Sequence, residues 1–230
     1  MSKAKFELFK APALKTRETR TKKSVRKKTL IVCEGTVTEP TYFKDMVKDL
    51  KISNMDVVIE PGKHSNPTAV VQTAIDMYES DKTFELIYCL IDTDEFGKQI
   101  ADAEKKLKDH VFSRRKKTEV GDKYPTAKIL RSNPCIEVWF LLHYVNLRRT
   151  FVKNKKSASI NCKEHLKSEY LPDYSERYDG LYMRIKSHGS KAVKNAESLN
   201  NWIKEEKAPN PWTQIDELYS DLQGLSFKNK

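Results

Sequence analysis

The chain has 230 residues, of which 38% are hydrophobic and 10% aromatic, a composition typical of one large globular domain or of a domain with a small appendage. Enough core-forming residues are present to exclude a chain that is disordered throughout. No stretch of about 18 apolar residues occurs, so a membrane span is not expected. The basic N-terminus leads into no apolar segment and does not resemble a secretory signal, so we expect a cytoplasmic protein.

The formal net charge of +11 is concentrated at the N-terminus. Residues 1–28 hold eight Lys and three Arg against two Glu, a net charge of +9, which leaves only +2 for the rest of the chain. This basic arm, with Arg17, Arg20 and Arg26, is expected to contact nucleic-acid phosphates or another polyanion. The alternative is an arm that only increases solubility.

The four cysteines are far apart in sequence, and no CxxC pair occurs. Three of them lie within apolar runs, which is typical of buried thiols. The sequence therefore predicts free cysteines in a reducing compartment, with neither a zinc site nor a disulfide framework.

Short β-rich runs alternate with amphipathic helices up to about residue 131. Strands are predicted at 29–33, 55–60, 85–91 and 127–130, and helices at 38–51, from Pro67 onwards, and at 98–112. Strands separated by helices of 10–15 residues indicate crossover connections and a mainly parallel sheet. We therefore predict an α/β fold with helices flanking the sheet.

After residue 131 the pattern predicts helices and no further strands. Asn133 is expected to cap a helix over 133–145, a basic loop follows over 146–160, and further helices are predicted at 161–170, 189–207 and 212–222. The predicted organisation is thus an arm (1–28), an α/β domain (29–145) and a C-terminal helical extension packed on it (146–230).

Carboxylates follow two of the predicted strands. Glu34 ends the first strand, and Asp92 and Asp94 end the third, where alternate side chains share one face. Ligands of parallel α/β sheets bind beyond the carboxyl ends of the strands. If these two strands are neighbours, the three carboxylates converge and repel one another unless a cation neutralises them or some of them take up protons. Oxygen ligands at this density suit Mg²⁺ or Mn²⁺. The sequence therefore predicts a metal site; ordinary turn chemistry is the alternative for each acid taken alone.

Two further glutamates have two interpretations each. Glu39 fits either a capping box with Thr36 or an additional metal ligand. Glu137 stands among apolar residues, where a charge is costly to bury without a partner, and fits either a functional role or a structural ion pair.

Several cationic side chains are candidates for phosphate contacts. Arg114 and Arg115 belong to one basic cluster, Arg148 and Arg149 begin a second that runs to Lys156, and Lys191 stands alone. Each cluster is also explained by a solvated loop. His143 is expected to be packed and hydrogen-bonded rather than catalytic.

Three segments in the same order resemble motifs of the RloB-like family, which is related to the AbiLii abortive-infection component. They are LIVCEGTVTEPTYF from Leu30, LIDTDE from Leu90 and SNPCIEVWFLLHY from Ser132. The motif NPWT from Asn210 is similar to a C-terminal family pattern. One departure occurs at 174–177, where Tyr174-Ser175-Glu176-Arg177 replaces a Tyr-x-Lys stretch.

The resemblance implies a TOPRIM-like, Rossmann-type domain in which Glu34, Asp92 and Asp94 hold a divalent metal for phosphodiester chemistry. Glu137 matches the family's own motif. The resemblance also implies an anti-phage setting beside restriction loci, with an AAA- or ABC-type ATPase partner from the same operon. A second copy of the chain is a further candidate partner.

We therefore expect an Mg²⁺- or Mn²⁺-dependent nuclease acting on DNA or RNA, with Glu34, Asp92, Asp94 and Glu137 as catalytic candidates and Glu39 as an added metal ligand. The main alternative is a non-catalytic nucleic-acid-binding or regulatory subunit of a defence ATPase. A phosphatase that uses the Asp92-x-Asp94 pair is weaker, since it leaves Glu34 without a role.

Overall fold

The computed structural model describes residues 27–62, 66–93, 97–110 and 125–227. The strands are β1 (Thr29–Cys33), β2 (Val57–Pro61), β3 (Leu86–Asp92), β4 (Thr126–Asn133) and β5 (Trp212–Thr213). The helices are α1 (Thr38–Asp49), α2 (Pro67–Ser80), α3 (Gly97–Asp109), α4 (Glu137–Leu142), α5 (Ala158–Glu169), α6 (Leu181–Ile185), α7 (Gly189–Glu206) and α8 (Ile215–Phe227), with a 3-10 helix at Lys186–His188.

The strands form one sheet in the order β2-β1-β3-β4-β5. The first four are parallel, and β5 is antiparallel to β4. β1 and β3 are direct neighbours, with Cys33 opposite Leu90, so the residues that follow these two strands emerge side by side. The prediction of a mainly parallel α/β sheet flanked by helices is confirmed.

Alternation along the strands divides the core between the two faces of the sheet. Leu30 and Val32 of β1 pack with α2 and α3 on one face, whereas Ile31 and Cys33 pack with α1 and the C-terminal helices on the other. This is the period-two pattern of a strand buried on both sides. All four cysteines are buried and free, as predicted.

The helices of the first half begin largely where the sequence predicts. α2 starts at Pro67, and the side chain of Asn66 caps it by accepting a hydrogen bond from the Ala69 backbone N–H at 2.9 Å, which is a favoured arrangement for a helix start. Among the described residues, no helix combines the length and apolar character needed to cross a membrane.

Two predictions for the second half are wrong, for one physical reason. Asn133 does not cap a helix but ends β4, and Trp212-Thr213 does not open a helix but forms β5. The two segments pair with each other, and the Ser132 and Thr213 hydroxyls form a buried hydrogen bond at 2.8 Å. Pairing between segments this distant in sequence overrides local helix preference, so α4 is short and begins at Glu137.

Candidate metal and phosphate site

Four carboxylate side chains line a pocket of about 670 Å³ at the carboxyl edge of the parallel sheet. Glu34 follows β1, Asp92 ends β3, Glu39 lies in the first turn of α1 and Glu137 opens α4. Three of these four residues are nearly inaccessible to solvent: Glu34 and Glu39 are 6% exposed and Glu137 is 2% exposed. Glu34 and Asp92, which were predicted from the strand ends, therefore lie in the same pocket as Glu39 and Glu137.

Glu34 points towards the end of β3. Its backbone N–H donates to the Leu90 carbonyl at 3.1 Å, and its Oε2 accepts from the Asp92 backbone N–H at 3.0 Å. These two bonds extend the β1–β3 pairing by one residue and fix the Glu34 carboxylate beside Asp92. Asp94, the third predicted ligand, lies outside the described residues.

Glu39 turns back over Gly35, whose backbone N–H donates to Glu39 Oε1 at 3.2 Å. A Cβ at position 35 would collide with the Glu39 carboxylate, so a larger residue there would force this side chain to move. The capping-box interpretation is wrong, because Val37 and not Thr36 is the N-cap residue of α1 and no side chain caps that helix. Glu39 lines the pocket instead.

The two oxygens of Glu137 differ in their surroundings. Oε1 accepts a hydrogen bond from the Tyr174 hydroxyl at 2.6 Å and lies 3.9 Å from Lys163 Nζ. Oε2 is buried and has no hydrogen-bond partner among the described residues. A buried carboxylate oxygen without a partner is costly. A structural ion pair therefore explains Oε1 of Glu137 but not the burial of Oε2.

Crowding and burial shift the protonation of the pocket. Burial raises the pKa of Glu34. Burial, followed by the charges of the three glutamates, raises the pKa of Asp92 well above its ordinary range. Burial first, and then the charges of Glu137 and Glu34, raise the pKa of Glu39 to about 7. The pocket thus disfavours its own negative charge and favours a cation or protons.

Lysines form another part of the wall of the same pocket. Lys153, Lys155 and Lys156 come from the segment before α5, and Lys163 lies on α5. Lys163 Nζ is 2.5 Å from Glu176 Oε1, and although desolvation lowers the pKa of Lys163, the nearby Glu137 and Glu176 raise it overall. Nothing in the sequence distinguishes Lys163 from its neighbours; only its placement beside Glu137 does.

The other predicted cations do not reach the carboxylates. Arg148 contacts Ser198 and lies over the Trp202 ring, while Arg149 lies over the Phe151 ring. Lys191 Nζ donates to the Tyr144 carbonyl at 2.7 Å, a contact that ties α7 to the end of α4. The remaining predicted contacts, Arg17, Arg20, Arg26, Arg114 and Arg115, lie outside the described residues.

His143 is fully buried and structural. Its Nδ1 lies 2.9 Å from the Trp139 carbonyl oxygen, and burial lowers its pKa to about 4. It does not line the carboxylate pocket, in agreement with the expectation of a packed histidine.

The donor chemistry of the pocket fits a hard divalent cation, since several carboxylates converge and one buried oxygen lacks a partner among the described residues. Within the described ranges, however, no three His, Cys, Asp or Glu side chains are placed to hold one ion together. Glu34, Asp92 and Glu137 are the side chains that could supply ligands. Asp94, the remaining predicted ligand, lies outside the described ranges.

Glu39→Gln is expected to change how stability depends on pH in metal-free protein. The Glu39 pKa rises from an ordinary value of 4.5 to about 7 on folding, so the native state binds the extra proton. Protonation of Glu39 therefore contributes to the free energy of unfolding at low pH. This contribution is lost as pH rises from about 4.5 to 7 and does not return above pH 7. In EDTA, the Tm of Glu39→Gln is compared with the Tm of the parent at pH 5 and at pH 8. The Tm of the variant relative to the parent should be higher at pH 8 than at pH 5, by about 2–4 °C for each kcal/mol by which the buried Glu39 charge destabilises the fold. A Tm difference that does not change between these pH values would contradict a destabilising Glu39 charge.

A model of the RloB-like protein family matches residues 29–222, which is most of the chain and includes every described residue of the pocket. No curated protein and no solved structure gives a significant match to the chain. The match begins at β1 and ends within α8, and it covers the three segments from Leu30, Leu90 and Ser132. The chain therefore belongs to the RloB-like family.

Proposed function

We propose that this RloB-like protein is an Mg²⁺- or Mn²⁺-dependent nuclease that hydrolyses phosphodiester bonds in DNA or RNA. The observation that carries the proposal is the pocket that carboxylates and lysines line together, with one buried Glu137 oxygen left without a partner among the described residues. Acids that hold a cation and ammonium groups in the same pocket suit a phosphate ligand.

The chain's own residues have distinct roles in this proposal. Glu34 and Asp92 are fixed at the strand ends and supply metal ligands, with Glu137 facing them from α4. Bound Mg²⁺ or Mn²⁺ would polarise a phosphoryl oxygen and lower the pKa of a water molecule. Lys163 offsets the charge of Glu137, and the lysines before α5 hold the flanking phosphates.

The biological setting of the proposal rests on the family resemblance. It implies a TOPRIM-like domain and a role in anti-phage or restriction-linked defence, with an ATPase partner from the same operon. The abundance of lysine on one wall of the pocket supports a polyanionic ligand but does not distinguish DNA from RNA.

A second candidate is a non-catalytic nucleic-acid-binding or regulatory subunit of that ATPase. Two observations favour it: the described side chains do not by themselves assemble three ligands for one ion, and Glu34 and Glu39 already accept hydrogen bonds from the backbone. In this case the pocket binds phosphates of a nucleic acid without hydrolysing its phosphodiester bonds.

Cleavage by the purified full chain separates the two candidates. Long DNA and long RNA are incubated with the protein in Mg²⁺, in Mn²⁺ and in EDTA. The nuclease proposal expects fragments in at least one metal and none in EDTA. Nucleic-acid binding without fragments in either metal would favour the regulatory subunit.

A further inference from the structure

We propose that the pocket takes a single, unpaired strand of nucleic acid and that Lys153 and Lys155 grip its phosphates. This inference rests on the proposed function only in that the ligand is nucleic acid. It specifies the strandedness of that ligand, which the family assignment leaves open.

The carboxylates lie deep in the pocket. Glu34, Glu39 and Glu137 are at most 6% exposed, so a phosphate reaches them only by entering the pocket. In a duplex the phosphates lie on a stiff backbone beside a paired strand. A single strand has freely rotating linkages and can bend one phosphate inwards while its neighbours stay outside.

The pocket has the size of a site for a single strand. Its volume of about 670 Å³ is that of a cleft for a small ligand, which suits one or two nucleotides and not a double helix. Residues 35–38 and residues 153–157 both line the pocket. A paired second strand would meet one of these two segments.

The part of the pocket wall that carries the lysines is both cationic and apolar. Lys153 and Lys155 are exposed, and neither forms an ion pair with any residue that the structure describes. Ile160 lines the same pocket and is 45% exposed. Ammonium groups and an exposed apolar side chain in one pocket suit phosphates that carry unstacked bases, because only an unpaired base offers its apolar face.

The backbone that carries these lysines is held in place. The Asn161 side chain donates to the Val152 carbonyl at 2.8 Å, and the Asn154 side chain accepts from the Lys156 backbone N–H at 3.1 Å. Lys156 is engaged with Glu164 and Lys163 with Glu176. Lys153 and Lys155 are thus the lysines of this wall that remain available to a ligand.

The test measures binding of the full chain to an unstructured 20-nucleotide strand and to the duplex of the same sequence, each as DNA and as RNA. Ca²⁺ replaces Mg²⁺, so that a hard cation is present while binding is followed by fluorescence anisotropy. The variants are Lys153→Ala/Lys155→Ala and, as a matched control, Lys44→Ala/Lys48→Ala on the exposed face of α1, which removes the same charge elsewhere.

We expect the parent to bind the single strand at least about tenfold more tightly than the duplex, in DNA, RNA or both. Lys153→Ala/Lys155→Ala should reduce the slope of log affinity against log salt by about 1.4, the value for two phosphate contacts on a single strand. The control should keep the parent's slope and preference. Equal or tighter duplex binding, or equal losses in both double variants, would overturn the proposal.

The outcome is independent of the nuclease proposal. A preference for the single strand without any cleavage would support this inference and contradict the proposed nuclease activity. Equal cleavage of duplex and single strand in Mg²⁺ would keep the activity and overturn the inference.

Discussion

Glu34→Gln and Asp92→Asn are each expected to lower metal-dependent cleavage by about 100-fold or more, while the protein stays folded. Loss of a residue that only orients a metal ligand costs about 10–100-fold, and these two residues are proposed as ligands themselves. In Glu34→Gln, the new amide oxygen can still accept from the Asp92 backbone N–H, the bond that the Glu34 carboxylate accepts at 3.0 Å. The substitution therefore removes charge and preserves the local hydrogen bond.

The measurement is the initial cleavage rate over a range of Mn²⁺ concentrations, with circular dichroism and Tm as folding controls. Glu60→Gln is the matched control, because Glu60 lies on the neighbouring strand β2 and does not line the carboxylate pocket. The control should cleave at the parent's rate. Parent-like cleavage by both Glu34→Gln and Asp92→Asn would refute the assignment of the site.

Trp139→Ala is expected to cost about 3–5 kcal/mol in the free energy of unfolding. Trp139 is fully buried, and its indole N–H donates to the Tyr42 hydroxyl at 3.0 Å, which joins α4 to α1. Its ring also lies 5.2 Å from the Tyr219 ring of α8. Alanine would leave a cavity where three helices meet, and it would leave the buried Tyr42 hydroxyl without this hydrogen bond.

Urea unfolding followed by circular dichroism measures this loss. Trp139→Phe fills most of the space but lacks the indole N–H, so its loss should be intermediate. Trp202→Ala serves as the control, because Trp202 is only partly buried at the edge of the core. A loss for Trp139→Ala no larger than for Trp202→Ala would contradict a central packing role.

The family motif around Trp139 combines two physical functions. Its apolar residues, Val138 to Leu142, are fully buried, which fixes α4 in the core. Glu137 stands at the start of the same helix and faces the pocket. Packing of the helix therefore positions the carboxylate, and we expect core substitutions here to disturb both stability and the site.

The first half of the fold could be predicted because its signals are local. β1 is a short run of apolar residues that ends at Glu34-Gly35, and α2 begins at an Asn-Pro pair. Strands and helices alternate there, so their periodicity is enough to indicate parallel pairing. The second half resisted prediction where distant segments decide the conformation, as in the pairing of Asn133 with Trp212.

For the candidate site, the sequence by itself determined that Glu34 and Asp92 lie at the carboxyl edge of the sheet, because both follow strands predicted to be parallel. Only the tertiary structure decided that β1 and β3 are neighbours and which groups face these two acids. Glu137 is brought in by the short helix α4, and Lys163 by the packing of α5 against α4. Contacts of this kind join helices through side-chain shape and burial, which leave no regular spacing in the sequence.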